Sequence, residues 1–270
     1  MVLFDSVALI VEGKATALSV QSLRGDVQRL ARDIKRSVQE AWEQGSRAKS
    51  DLASGQDIVF SDSKGREILL LQARAFEEVF IVNPTLHALA HYGPHLPALR
   101  ALGLFPDGEY PWSVYINDLR VISDIVDNAA EALHYLIWRS RLHLGDRVIA
   151  SDELDLFNAF LLGENYLTPL EDSRLGRIIV SASTVDFDDY YIGEAGKGPK
   201  ARKPRKFSIP VIQKFVERLS RERPKGWLEA AGVCLELTPA QLAAIDVFSR
   251  RAFQGLPQGL VVFAVECYLR

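Results

Sequence analysis

The feature that most constrains this chain is an apolar run, Val7 to Val11, which leads without a break into Glu12-Gly-Lys14. Such a run reads as a buried β-strand whose polar end begins at Glu12. Side chains alternate along a strand, so Glu12 and Lys14 project from the same side of it. A carboxylate beside an ammonium at that position suits divalent-metal chemistry. The carboxylate holds a hard cation through oxygen, and the lysine orients or activates a water. Asp5 stands just upstream as a candidate second metal ligand.

The segments that follow are consistent with an α/β core. Leu23, Val27, Leu30, Ala31, Ile34, Val38, Ala41 and Trp42 recur at helical spacing, while Arg24, Arg29, Arg32, Lys35 and Arg36 occupy the opposite face. This predicts an amphipathic helix over 23–42, followed by a polar, loop-like stretch from Gly45 to Gln56. Strands are predicted at Asp57–Phe60, Glu67–Gln72 and Glu78–Val82, the last ended by Asn83-Pro84. The expected architecture is a mixed β-sheet with flanking helices.

The Asp…Glu-x-Lys pattern in this order resembles the signature of the restriction-endonuclease-like, PD-(D/E)xK nuclease superfamily, over roughly residues 1–45. The resemblance implies a restriction-endonuclease-like core in which Asp5 and Glu12 hold Mg²⁺ or Mn²⁺. Lys14 would then position the attacking water for phosphodiester hydrolysis in DNA or RNA. The alternative is a catalytically inactive nuclease-like interaction module.

Asp5 and Glu12 are an odd seven positions apart, so on one regular strand they face opposite ways. Asp5 is a ligand through a bulge, or else it belongs to a turn and the matching aspartate lies upstream. The abrupt start and end of the chain are those expected of a piece of a longer protein. Some family members carry a glutamine in the next helix with a tyrosine four residues later; neither Gln28 nor Gln39 reproduces that spacing.

Three regions are predicted: a nuclease-like core over 1–82, a helical and turn-rich second region over 83–176, and an α/β region over 177–270. Pro84, Pro94, Pro97, Pro106 and Pro111 break the second region into short pieces. It contains a short helix from Pro97, a turn at Asp107-Gly108 and a strand at Trp112–Ile116. Asn128 is an N-cap for a helix over Ala129–Leu142, with Glu131 in capping-box position. That helix is expected to bury Leu133, Leu136 and Ile137 and to expose Arg139 and Arg141. The stretch from about Val79 to Arg141 resembles segments attached to nuclease-like cores in bacterial proteins.

With 48% hydrophobic and 25% charged residues among 270, and mean hydropathy +0.01, the chain reads as a soluble, cytoplasmic protein. It has no apolar run near the roughly 20 residues a membrane span requires and no secretory leader pattern. Cys234 and Cys267 lie in apolar, strand-like segments and read as buried thiols. His87 and His91 lack the adjacent glutamate of a zinc-protease helix, so they and His95 read as structural or surface residues. His134 and His143 read as polar-face residues.

In the last region a strand is expected at Arg177–Ala182. The acids Asp186, Asp188 and Asp189 then form an acidic loop rim. Lys197, Lys200, Arg202, Lys203, Arg205 and Lys206 follow in a glycine- and proline-spaced segment, 193–206, almost without apolar residues. It is expected to be a mobile loop, serving either as a nucleic-acid contact through phosphate neutralisation or as a solvated linker. The net charge of −3 excludes a generally basic coat, so nucleic-acid binding has to be local. Helices are predicted at Val211–Arg221 and from Thr238-Pro239 to about Arg251. Leu228–Cys234 continues the apolar pattern, and a closing strand covers Leu260–Leu269.

Overall fold

Phe4 pairs with Val7 across the two-residue turn Asp5-Ser6, so β1 (Val2–Phe4) runs antiparallel to β2 (Val7–Val11). Asp5 has a φ of 49°, the left-handed conformation that such tight hairpins demand and that aspartate tolerates. The computed structural model describes residues 1–71, 76–89, 92–105, 108–144, 147–163, 176–181 and 184–252. Within them the protein is a mixed α/β structure with a mixed sheet and flanking helices.

The chain divides into two compact units, Met1–Leu119 and Arg120–Arg270. In the first, α1 (Val20–Leu23) and α2 (Val27–Ile34) follow β2. A π-helical turn (Lys35–Gln39) then leads into α3 (Glu40–Ala53). The hairpin β3 (Ile58–Ser61) and β4 (Glu67–Leu71) forms a small sheet of its own. Next come β5 (Glu78–Thr85), a 3₁₀ segment (Leu96–Leu102) and β6 (Trp112–Tyr115). The main sheet has the order β1-β2-β5-β6, with β2, β5 and β6 parallel and β1 antiparallel at the edge.

Register decides which residues share a face. Ala8 pairs with Val79 and Ile10 with Ile81. The Ala8–Ile10 face is covered by α3, through a core of Ala8, Ile10 and Leu52 joined by Ala48, Ile58 and Val79. A second cluster packs Ile34 and Val38 against Leu89, Leu96, Leu99 and Phe105. Gly45 lets α3 lie close on β5: a Cβ there would stand 2.6 Å from Cγ2 of Ile81.

In the second unit α5 (Ala129–Leu144), α8 (Pro210–Glu222) and α9 (Trp227–Leu235) pack together. The parallel pair β7 (Val148–Ala150) and β8 (Ile178–Val180) flanks α6 (Glu153–Leu162). α7 (Val185–Glu194) and α10 (Pro239–Ala252) complete the unit, and α4 (Ile116–Ile125) spans the division. Tyr135, Phe157 and Phe160 form an aromatic core with ring centroids 5.1–6.3 Å apart.

Several sequence expectations are corrected. The helix predicted over 23–42 is broken at Gly25 (φ 93°), restarts on the Asp26 cap and continues to Ala53 through the expected loop. β5 runs through Asn83-Pro84 to Thr85, so the first unit extends past residue 82 to Leu119. The acids of 186–189 sit on α7, and Cys234 sits on α9, not on a strand. Arg139 is buried against Glu153 at 2.8 Å, with Tyr135 donating to the same carboxylate. His134 is buried as well. His91, Cys267, the turn residues Pro106 and Asp107 and the strand expected at Leu260–Leu269 lie outside the described residues. Among the described residues no single helix is long and apolar enough to cross a membrane; the apolar α9–α10 pair is bent by 102°.

Candidate active site at the carboxyl end of the parallel strands

β2 ends at Val11, but its ladder continues by one bond: the Glu12 N–H donates to the Val82 carbonyl at 2.9 Å. Extending the register places Glu12 beside Asn83, and Asn83 pairs with Ser113. Glu12, Asn83 and Ser113 therefore form a polar row across three parallel strands at their carboxyl ends. Open α/β sheets offer ligand sites at this end of their strands. Residues 12–18 belong to no helix or strand and keep alternating exposure, so Glu12 and Lys14, both half-buried, share a face. By parity it is the face of Ala8 and Ile10, which α3 covers.

α3 supplies the next member. The Lys14 ammonium donates to the Gln44 side-chain oxygen. Gln44 precedes Gly45, whose close approach to Ile81 brings this part of α3 onto the sheet. Among the described residues the Glu12 carboxylate has no hydrogen-bond partner and is left to a ligand or solvent. Beneath it Asn83, fully buried, donates from Nδ2 to the Glu12 carbonyl at 2.8 Å and to the Ser37 carbonyl at 3.3 Å. Ser37 belongs to the π-helical turn, a rare element enriched at functional sites.

The sequence pointed to Glu12 and Lys14 but missed Gln44, Asn83 and Ser113. Gln44 falls just past the end expected for the helix over 23–42, and Asn83 reads as a strand stop. The available signal was an asparagine and a serine inside otherwise apolar strands, Val-Phe-Ile-Val-Asn and Trp-Ser-Val-Tyr.

Asp5 is not part of this constellation. It occupies the turn before β2, and Glu12 follows the other end of that strand. At about 3.3 Å of rise per residue, they stand roughly 20 Å apart, too far for one ion held at about 2–2.6 Å. Among the described residues no group of three His, Cys, Asp or Glu side chains is placed to hold a metal. One carboxylate still fits Mg²⁺, which binds through one or two carboxylates with substrate phosphates completing its shell. Of the histidines, His87 is exposed and His95 buried.

The basic segment lies in the second unit and is packed down over its later half. Lys203 and Arg205 pair with Asp127 at 3.0 and 3.3 Å, and the Phe207 N–H bonds the Leu161 carbonyl at 2.6 Å. The Lys206 ammonium is buried 4.8 Å from the centre of the Phe160 ring. Burial pushes the Lys206 pKa down to about 8, against the opposing pull of Glu131 and Glu236. Burial likewise pushes the Glu131 carboxyl up to about 7, and one of its oxygens has no partner among the described residues. His134 is driven down to about 4 by burial and by the Lys206 and Arg141 charges. Only Lys197, Lys200 and Arg202 are exposed without being drawn into these contacts.

Comparison with protein-family models, with curated proteins and with solved structures finds no match to this chain.

Proposed function

We propose that the Met1–Leu119 unit is a restriction-endonuclease-like domain that hydrolyses phosphodiester bonds of nucleic acid with Mg²⁺ or Mn²⁺. The observation that carries the reading is the joint emergence of Glu12 and Lys14 on the α3-covered face, with Lys14 held by Gln44. A sheet with one antiparallel edge strand and a helical crossover after the Glu-x-Lys strand supports it.

Glu12 would supply the protein's carboxylate to the metal, which polarises the phosphate and lowers the pKa of a bound water. Lys14, fixed by Gln44, would orient that water and stabilise negative charge developing on the phosphate. Asp5 has no part in this arrangement. Its position favours the second reading, a nuclease-like interaction module without catalysis.

Mn²⁺ titration decides between them. The hydrolytic reading expects saturable binding that Glu12→Gln weakens at least tenfold and Asp5→Asn leaves unchanged. Absence of binding by the wild-type chain leaves the interaction module.

A further inference from the structure

We infer that Asn83 is the positioning residue of the Glu12–Lys14 arm: one buried amide sets the strand end and the π-helical turn together. This rests on the reading of Glu12 and Lys14 as a hydrolytic pair. Glu12 is the last residue of its strand bonded to β5, and from Gly13 onward the chain leaves the sheet. Its N–H is fixed by Val82 and its carbonyl by Asn83, at 2.9 and 2.8 Å. The second Nδ2 proton reaches Ser37 at 3.3 Å, and Oδ1 accepts from the Ser113 hydroxyl at 3.2 Å. The two carbonyls can only accept and the hydroxyl can donate, so the amide has one satisfactory orientation.

Few side chains can replace it. Aspartate would turn an oxygen toward two carbonyls, leucine would withdraw the donor from both, and serine has a single donor. Gly13 follows, no longer bonded to β5 but still beside it: a Cβ there would make ordinary contact with the Pro84 carbonyl at 3.6 Å. Lys14 then arrives at Gln44 on the helix that the π-turn leads into. Both bearers of the chemistry, strand end and helix, are thus referred to one amide.

The test compares wild type with Asn83→Leu and Ser113→Ala in the full chain. Backbone ¹⁵N relaxation is read at Gly13, Lys14 and Ala15 and, as control, at Val7–Val11. In Asn83→Leu the arm should fall from a rigid order parameter of about 0.85 to below about 0.6 while the strand stays rigid. Ser113→Ala should loosen the arm in the same pattern to a smaller degree, which keeps the test decisive if Asn83→Leu does not fold. Wild-type order in the arm of Asn83→Leu, or of Ser113→Ala when Asn83→Leu cannot fold, with only a lowered melting temperature, overturns the inference. Paramagnetic broadening at Glu12 and Gly13 by Mn²⁺ is measured alongside and should need at least tenfold more ion in Asn83→Leu. An equal requirement in a loosened arm overturns Asn83's bearing on the site. No broadening in wild type defeats the hydrolytic reading, and the relaxation data still decide the role of Asn83.

Discussion

Lys14 donates to the side chain of Gln44, thirty positions further along the chain, so the end of a central strand and its covering helix are joined at the proposed site. Gln44→Leu removes the acceptor while keeping the helix. Phosphodiester cleavage should fall about tenfold, less than the roughly 10²–10⁴-fold lost with a group that itself transfers the proton, because Gln44 only positions Lys14. Mn²⁺ affinity should stay unchanged, because glutamine acts through lysine and not on the ion. A matching loss of metal binding would show that Gln44 belongs to the metal's own shell.

Gly45→Ala tests how tightly α3 lies on the sheet. Glycine to alanine within a helix normally stabilises by up to about 1 kcal/mol. Here the added methyl would stand 2.6 Å from Ile81, and overpacking of this kind destabilises by about 1–3 kcal/mol. Urea unfolding should therefore show a net loss of stability. A gain would mean that α3 sits further from β5.

Arg139 was expected on the surface of its helix and is instead buried against Glu153. Arg139→Met leaves a buried carboxylate without its cation and should destabilise by about 3–5 kcal/mol. A change below about 1 kcal/mol, the level of an exposed pair, would contradict the burial.

Gly45 and Arg139 mark the limit of what the sequence makes legible. The Val7–Val11 run and the helical stripe after it had clear periods, so strand, helix and the shared face of Glu12 and Lys14 were legible. Gly45 was read as a helix stop because its reason, contact with Ile81, is tertiary. The break at Gly25 and restart on Asp26 were hidden because the apolar stripe continues across them. Arg139 and His134 looked solvent-facing because periodicity cannot tell a polar face from a buried ion pair. The basic segment, read as unable to pack, is anchored by single bonds to Asp127 and by the Phe160 ring, which composition does not reveal.

The buried groups of the second unit predict an unusual pH profile. Glu131, raised to about 7, gives a contribution to stability that is full near pH 4.5 and lost as pH rises through 7. His134, lowered to about 4, gives one that is present above pH 6.5 and lost as pH falls through 4. Between pH 4.5 and 6.5 the two oppose each other, so together they give the wild type a nearly flat contribution. In Glu131→Gln stability should rise with pH across that window, by at most about 1.4 kcal/mol per pH unit for one proton. His134→Leu should show the reverse slope. Parallel profiles for the two variants would contradict the assignment.

The basic segment divides by packing. Neutralising Lys197, Lys200 and Arg202 together should weaken any nucleic-acid binding and flatten its salt dependence, since these side chains are exposed. Unchanged affinity and slope would leave the segment a linker. Lys206→Met removes a buried cation and should matter more for stability near pH 7, where Glu131 is half ionised and Lys206 still charged, than near pH 5, where Glu131 is neutral.

The most direct test of the central claim is cleavage of end-labelled DNA and RNA, single- and double-stranded, by the full chain in Mg²⁺ or Mn²⁺. The account predicts cleavage by wild type that stops in excess chelator and is abolished by Glu12→Gln, which keeps the shape and removes the charge. Lys14→Met should also fail to cleave while retaining Mn²⁺ binding, and Asp5→Asn should cleave as wild type does. Cleavage that persists in chelator or in Glu12→Gln would contradict the account, as would a wild-type chain that neither cleaves nor binds metal.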